Sequence, residues 1–339
     1  MTVATTPPVA AATTSVGTAP PVAKASGRDV VMIAGPTAVG KTKISIELCR
    51  RLDGEILSAD SMQIYKYMNI GSAKPTEAEQ AGIPHHMMDV VDPAEAFSAA
   101  DYKAAAEACL EEILSRGKLP IMVGGTGLYF DALLYDRDFS GSAGDGVLRE
   151  AFEAIARAQG NEALHDMLKE KDAEAAARIH PNNVRRVVRA LELIETTGSA
   201  TPAFDQAPEP NPRYNFILLG LTDHRQALYE RIDQRVDAMF EAGLVDEIII
   251  LKNLGLSDKF QSMQGIGYKE VFRYLDGLAT LEETIALIKQ SSRRYAKRQL
   301  TWFKRYPTLE WFEVDGLTDP DSVIDQIERA IRQKMSREG

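Results

Sequence analysis

Eight residues constrain this chain more than any others. Gly35-Pro36-Thr37-Ala38-Val39-Gly40-Lys41-Thr42 fits the pattern G-x-x-x-x-G-K-[ST]. It follows the continuous apolar run Val30–Ala34 and opens a helical pattern over Lys43–Leu52. A glycine-bearing turn between strand and helix lets successive backbone N–H groups face one concavity. The helix N-terminus adds partial positive charge to the same place. Gly35, Thr37, Ala38, Val39 and Gly40 therefore form a cradle for phosphate, Lys41 supplies a full charge, and Thr42 offers a hydroxyl to Mg²⁺. The motif specifies a polyphosphate site without saying which polyphosphate.

An apolar run such as Val30–Ala34 suits a strand covered on both faces. Further strands are expected at Glu55–Ala59, His86–Val91, Leu119–Val123, Phe216–Leu221 and Leu309–Val314. Between them Ser98–Arg116 reads as a helix, with Ser98 as N-cap, Asp101 completing a near capping box and Gly117 ending it. This alternation predicts an α/β fold: a P-loop NTPase-like parallel sheet with right-handed crossovers. From about Ser140 to Thr197 the periods are helical only, and Pro202, Pro208, Pro210 and Pro212 mark an extended return. The expected division is a disordered tail at 1–27, a core at 28–139 and 214–339 with helical C-terminal parts, and a helical insertion at 140–213. The tail has Lys24 as its only charge and no basic start before an apolar segment, so no signal peptide is expected.

No apolar run approaches the roughly 20 residues of a membrane span, so no membrane partner is expected. Cys49 and Cys109 have no ligand-like spacing and read as small core residues of a cytoplasmic protein. His85-His86 has no helical H-x-x-x-H partner and reads as structural, as does His180 before Pro181. Net charge is −10, yet no acid occurs among the 26 residues Thr284–Leu309, which carry Lys289, Arg293, Arg294, Lys297, Arg298, Lys304 and Arg305. Local patches, not the net sum, decide nucleic-acid binding.

In an open α/β sheet, ligands bind beyond the carboxyl ends of the strands. Besides the phosphate loop, Asp60-Ser61 and Gly124-Gly125-Thr126 fall at that edge. Asp60 is either a Mg²⁺ ligand or a general base by pattern, and otherwise an N-cap. Thr126 is otherwise the cap of the next helix. A small-molecule or nucleotide kinase fits these features as well as any other enzyme.

Longer runs narrow the choice. Ser58-Ala59-Asp60-Ser61-Met62-Gln63-Ile64-Tyr65, Gly71-Ser72-Ala73-Lys74-Pro75-Thr76, Ser98-Ala99-Ala100-Asp101-Tyr102 and Gly124-Gly125-Thr126-Gly127-Leu128-Tyr129-Phe130 resemble the tRNA dimethylallyltransferases (tRNA isopentenyltransferases). So do Arg178-Ile179-His180-Pro181-Asn182, Gly265-Ile266-Gly267-Tyr268 and Ala296-Lys297-Arg298-Gln299-Leu300-Thr301-Trp302. The resemblance spans about residues 28–315 and is specific in combination.

It implies transfer of a prenyl group from dimethylallyl diphosphate to N6 of the adenosine 3′ of the anticodon, in tRNAs reading codons that begin with U. Mg²⁺ is required, and the phosphate loop holds the diphosphate of the prenyl donor rather than ATP. Asp60 is then the general base, Thr126 lies near the reacting centre, and Arg235 lies near the diphosphate. The tRNA anticodon arm meets Asp60, Ser61, Met62 and Gln63. It also meets Arg149, the basic run Arg185, Arg186 and Arg189, the segment Gln264, Gly265, Ile266, Gly267, Tyr268 and Lys269, and Arg293 with Lys297. Thr284–Tyr306 reads as one helix whose basic sides form a phosphate-binding track. A monomer is expected.

Overall fold

The computed structural model describes residues 28–135, 146–198, 210–314 and 320–335. The expectations for 1–27 and for 199–209 lie outside them. Chain order is β1 (Asp29–Ala34), α1 (Lys41–Leu52), β2 (Gly54–Ala59), α2 (Glu77–Gln80), β3 (His85–His86), α3 (Ala99–Ser115), β4 (Leu119–Gly124) and α4 (Gly127–Leu134). Four helices follow: α5 (Gly146–Gln159), α6 (Asn161–Lys171), α7 (Ala173–Arg178) and α8 (Val184–Thr197). Then come β5 (Asn215–Thr222), α9 (Arg225–Glu241), α10 (Leu244–Asn253), α11 (Tyr268–Leu275), α12 (Leu281–Phe303), β6 (Glu310–Glu313) and α13 (Pro320–Met335).

The strands form one six-stranded sheet in the order β3-β2-β4-β1-β5-β6, every pairing parallel. Alternation along β1 explains why that strand is apolar throughout. Val31 and Ile33 join a cluster with Ile44, Leu48 and Leu228 on one face, while Val30, Met32 and Ala34 join Tyr102, Phe130 and Phe303 on the other. The helix after Ser98 forms as its capping box requires, with both reciprocal hydrogen bonds made. Cys49 is buried in the core and Cys109 is half-buried. The strand expected over His86–Val91 is only His85–His86, because Met87 and Asp89 take φ of 61° and 55°. Left-handed residues cannot continue a pleated ladder.

Helices α5 to α8 enclose an apolar cluster of their own, including Phe152, Leu164, Leu168, Val187 and Leu191. Among the described residues no helix is long and apolar enough to cross a membrane. Helix α12 begins at a complete capping box, Thr280 with Glu283. Its inner face carries Ile288, Ala296 and Phe303 into the core. Phe303 is fully buried and meets Phe130 of α4 edge-on, centroids 5.1 Å apart.

Truncating Phe303 to Ala leaves a cavity where α12 joins the sheet. We expect a loss of about 3–5 kcal/mol in denaturant-induced unfolding. A loss below about 1 kcal/mol would show that the junction repacks.

Candidate active site

The phosphate loop, Asp60-Ser61, Gly125-Thr126 and Asp223 follow the carboxyl ends of β1, β2, β4 and β5. The turn after β1 is shaped by Gly40, whose φ of 97° makes it the αL N-cap of α1. Ala38 also has positive φ, 62°. Its carbonyl accepts a hydrogen bond of 3.0 Å from Nε of Arg231 on α9. Arg231 is in turn paired with the buried Asp223, which follows β5. On the other flank the N–H of Thr37 donates to Oε1 of Gln299 on α12 (2.8 Å). Side chains from two helices thus grip consecutive residues of the loop. Because Gln299 takes the Thr37 N–H, that amide is not directed at a phosphate.

Lys41 donates from Nζ to the carbonyls of Gly35 (2.9 Å) and Pro36 (2.7 Å). Burial pulls its pKa down to about 7, against the opposing pull of Asp60 and with a smaller push from Arg235.

Asp60 follows β2 and borders the same cavity as residues 37–42. No helix follows it, so it is not an N-cap. Its Oδ1 instead accepts from the Met62 N–H at 2.9 Å. Burial raises its pKa, while the amides of Met62 and Gln63 and the charges of Lys41 and Arg235 act against that rise. Thr126 sits at the N-cap position of α4 but caps nothing through its side chain. Its Oγ1 accepts the Ser61 N–H at 3.0 Å, which fixes the chain just after Asp60. Gln63 accepts from Ser58 Oγ (3.1 Å) and donates to the Ala73 carbonyl (3.3 Å), tying that turn to the neighbouring wall.

The cavity measures about 960 Å³. Thr37, Ala38, Val39, Gly40, Lys41 and Thr42 form one part of its lining, and Asp60, Ser61, Met62 and Gln63 another. Arg235 of α9, Arg185 at the start of α8, and Gln264, Gly265, Ile266, Gly267 and Lys269 also line it. The loop and Asp60 are therefore brought together as the sequence implies. Gly35 is absent from that lining, and a Cβ on it would lie 2.8 Å from the Leu221 carbonyl oxygen of β5. Thr126 stands behind the wall, acting through Ser61.

Other expected contacts are placed differently. Tyr268 is fully buried, its hydroxyl donating to Glu247 at 2.8 Å, so its side chain is withdrawn from any RNA surface. Glu247 also accepts three N–H groups, from Asn69, Ile70 and Gly71. Tyr268 and Glu247 thereby fix the loop that walls the cavity. Arg149 and Arg189 both pair with the buried Glu192. Arg293 pairs with Asp233 and Lys289 with Asp237, both acids on α9. These cations are partly committed inside the protein, while Arg185, Arg186 and Lys297 remain exposed.

Sequence reasoning does not single out Gln299, Tyr295, Arg231 or Glu247. The available signal is spacing: Gln299 falls on the buried stripe of α12 with Ile288, Ala296 and Phe303, where a polar residue needs a partner.

The lowered pKa of Lys41 has a binding consequence. Below about 7 the amine is charged and holds an anion; above it, the bound anion must draw a proton back. Inorganic pyrophosphate binding at pH 8, measured by calorimetry in buffers of different ionisation enthalpy, should take up close to one proton more than in Lys41→Arg. Equal uptake by both proteins would contradict the assignment.

The chain matches the IPP transferase family over residues 63–306. It is 50% identical over 290 residues to the tRNA dimethylallyltransferase of Bacillus subtilis (strain 168), covering 86% of this chain and 92% of that protein. It is 48% identical over 303 residues to that of Geobacillus thermodenitrificans (strain NG80-2), covering 89% and 95%. Among solved structures it resembles the full-length tRNA isopentenylpyrophosphate transferase of Bacillus halodurans, at 47% identity and TM-score 0.70, covering 92% of this chain and 98% of that one. A eukaryotic dimethylallyltransferase solved acting on tRNA superposes with TM-score 0.76 at 31% identity, covering 92% of this chain and 80% of that one. On this match to more than half of its length, and on relatives 48–50% identical over 86–89% of it, the chain belongs to the IPP transferase family.

Proposed function

We propose that this chain transfers the dimethylallyl group of dimethylallyl diphosphate to N6 of the adenosine 3′-adjacent to the anticodon, in tRNAs reading codons that begin with U. The observation that carries this reading is the shared cavity: a phosphate cradle and a carboxylate of raised proton affinity border one space. Its volume, about 960 Å³, is at the upper end of small-ligand pockets and suits a diphosphate together with an extruded base. The activities named for the relatives support the same reaction.

An exocyclic adenine amine is a weak nucleophile, because its lone pair is delocalised into the ring. As N6 bonds to the allylic carbon, Asp60 takes the N6 proton. Burial makes Asp60 a stronger base than an exposed carboxylate. The allylic C–O bond breaks and its electron pair departs with pyrophosphate. Amides of residues 38–42, Lys41 and Arg235 receive that charge, a contribution of several kcal/mol in comparable sites.

Among the described residues no three His, Cys, Asp or Glu side chains converge as a metal site. The exposed Thr42 borders the cavity beside Lys41, and its hydroxyl would be the protein group that holds Mg²⁺. When bound, Mg²⁺ would neutralise charge on the leaving group.

The target base must leave its stack to reach Asp60, which costs least in a loop. Arg185 and Arg298 in the cavity lining, with their exposed chain neighbours Arg186 and Lys297, supply cations for the anticodon arm. Cradle and carboxylate come from one chain, so we propose that a cytoplasmic monomer suffices.

Asp60→Asn should lower prenyl transfer to tRNA by about 10²–10⁴-fold while tRNA affinity stays within about threefold. Near-normal turnover would remove Asp60 as the base. Supplying radiolabelled ATP tests the kinase reading, which requires label in a phosphorylated product. Arg185→Ala with Lys297→Ala should lower the salt slope of tRNA binding by about one to two. An unchanged slope would take both residues out of the interface.

A further inference from the structure

Helix α12 does more than present a basic surface. Its buried face carries the polar side chain of Gln299, which borders the cavity. Gln299 is only 4% exposed, so its amide must find partners inside the protein. Its Oε1 accepts the Thr37 N–H at 2.8 Å. Its Nε2 donates to the Gly125 carbonyl at 3.0 Å. Thr126, the neighbour of Gly125, accepts the Ser61 N–H at 3.0 Å. One path therefore runs from the phosphate loop through Gln299 and the turn after β4 to the residue after Asp60.

The packing around this path leaves little freedom. A Cβ on Gly125 would lie 2.0 Å from Nε2 of Gln299, and one on Gly127 would lie 2.2 Å from Cδ1 of Trp302, a turn further along α12. The helix thus lies directly on the backbone of the turn after β4. The two Gln299 hydrogen bonds fix the lateral position of the phosphate loop relative to that turn.

We infer that Gln299 is a positioning residue that sets the spacing between the phosphate cradle and the Asp60 carboxylate. Through Thr37 it holds the entrance to the cradle and therefore governs anion affinity. Through Gly125 and Thr126 it also holds the turn that carries Asp60, and therefore governs the rate of the chemical step. The second duty rests on the prenyl-transfer reading; the first does not. A group within the reacting geometry displaced by an ångström loses rate steeply, so a brace acting at a distance leaves a kinetic trace.

The test uses Gln299→Met in the full chain, which keeps the volume and removes both amide contacts; Gln299→Leu is measured in the same way should the Met variant not fold. The variant should weaken binding of inorganic pyrophosphate at least tenfold, read by calorimetry on protein whose far-ultraviolet circular dichroism matches the parent. It should also lower single-turnover prenyl transfer at saturating donor and tRNA at least tenfold. Pyrophosphate affinity within twofold of the parent overturns the first duty of Gln299. A single-turnover rate within twofold of the parent overturns the second. A parent chain that transfers no prenyl group at all would sink the proposed reaction, while the pyrophosphate measurement still decides the first duty.

Discussion

A carboxylate and an ammonium group placed near one another in a recessed cavity would ordinarily pair and neutralise each other. Here they do not. Lys41 is drawn to the carbonyls of Gly35 and Pro36, and Asp60 to the amide of Met62. Each charge is held on its own side, so an anion can enter at one and a proton can leave to the other. The site's use depends on maintaining that separation, and the separation is a property of the backbone. Parallel pairing in register brings Ala34, Ala59 and Gly124 to one level, because Ala34 and Ala59 both pair with Gly124. The turns that follow inherit that alignment.

Local geometry alone would leave these turns mobile, since loops carry few buried contacts. The chain supplies braces from distant sequence instead. Arg231 reaches Ala38 across 193 residues, and Gln299 reaches Thr37 across 262. Glu247 gathers the amides of Asn69, Ile70 and Gly71, which steadies the facing wall. The helices after β5 therefore act on the site from outside, although none carries the phosphate motif. This explains why α12, the longest helix among the described residues, combines an exposed basic side with the buried Gln299.

What the sequence reveals follows the range of the interactions involved. The phosphate loop, the strands β1, β2, β4 and β5, the capping box at Ser98 and the helical character of 146–197 are local patterns, and each is found where it was read. Asp60 and Thr126 are legible as residues following strands, and Thr126 proves to be held by Ser61 rather than used as a cap. The partners of charged residues are not legible. Arg293 and Lys289 look like free cations in an acid-free run, yet Asp233 and Asp237 of α9 lie opposite them. Arg149 and Arg189 converge on Glu192, a single buried acid that no periodicity distinguishes. Tyr268 sits in a segment resembling a binding loop, but its ring fills the space that Gly71 leaves beside it. The short β3 shows the same limit, since left-handed φ at Met87 and Asp89 has no signature in those residue types.

The central claim is that cradle and carboxylate address two reactants in one space. A crystal structure with an unreactive thiolo analogue of dimethylallyl diphosphate and a tRNA anticodon stem-loop measures this directly. The account predicts the diphosphate on the amides of residues 38–42 and the adenine N6 within about 3 Å of an Asp60 oxygen. A diphosphate bound away from the loop, or an adenine amine facing a group other than Asp60, would contradict it.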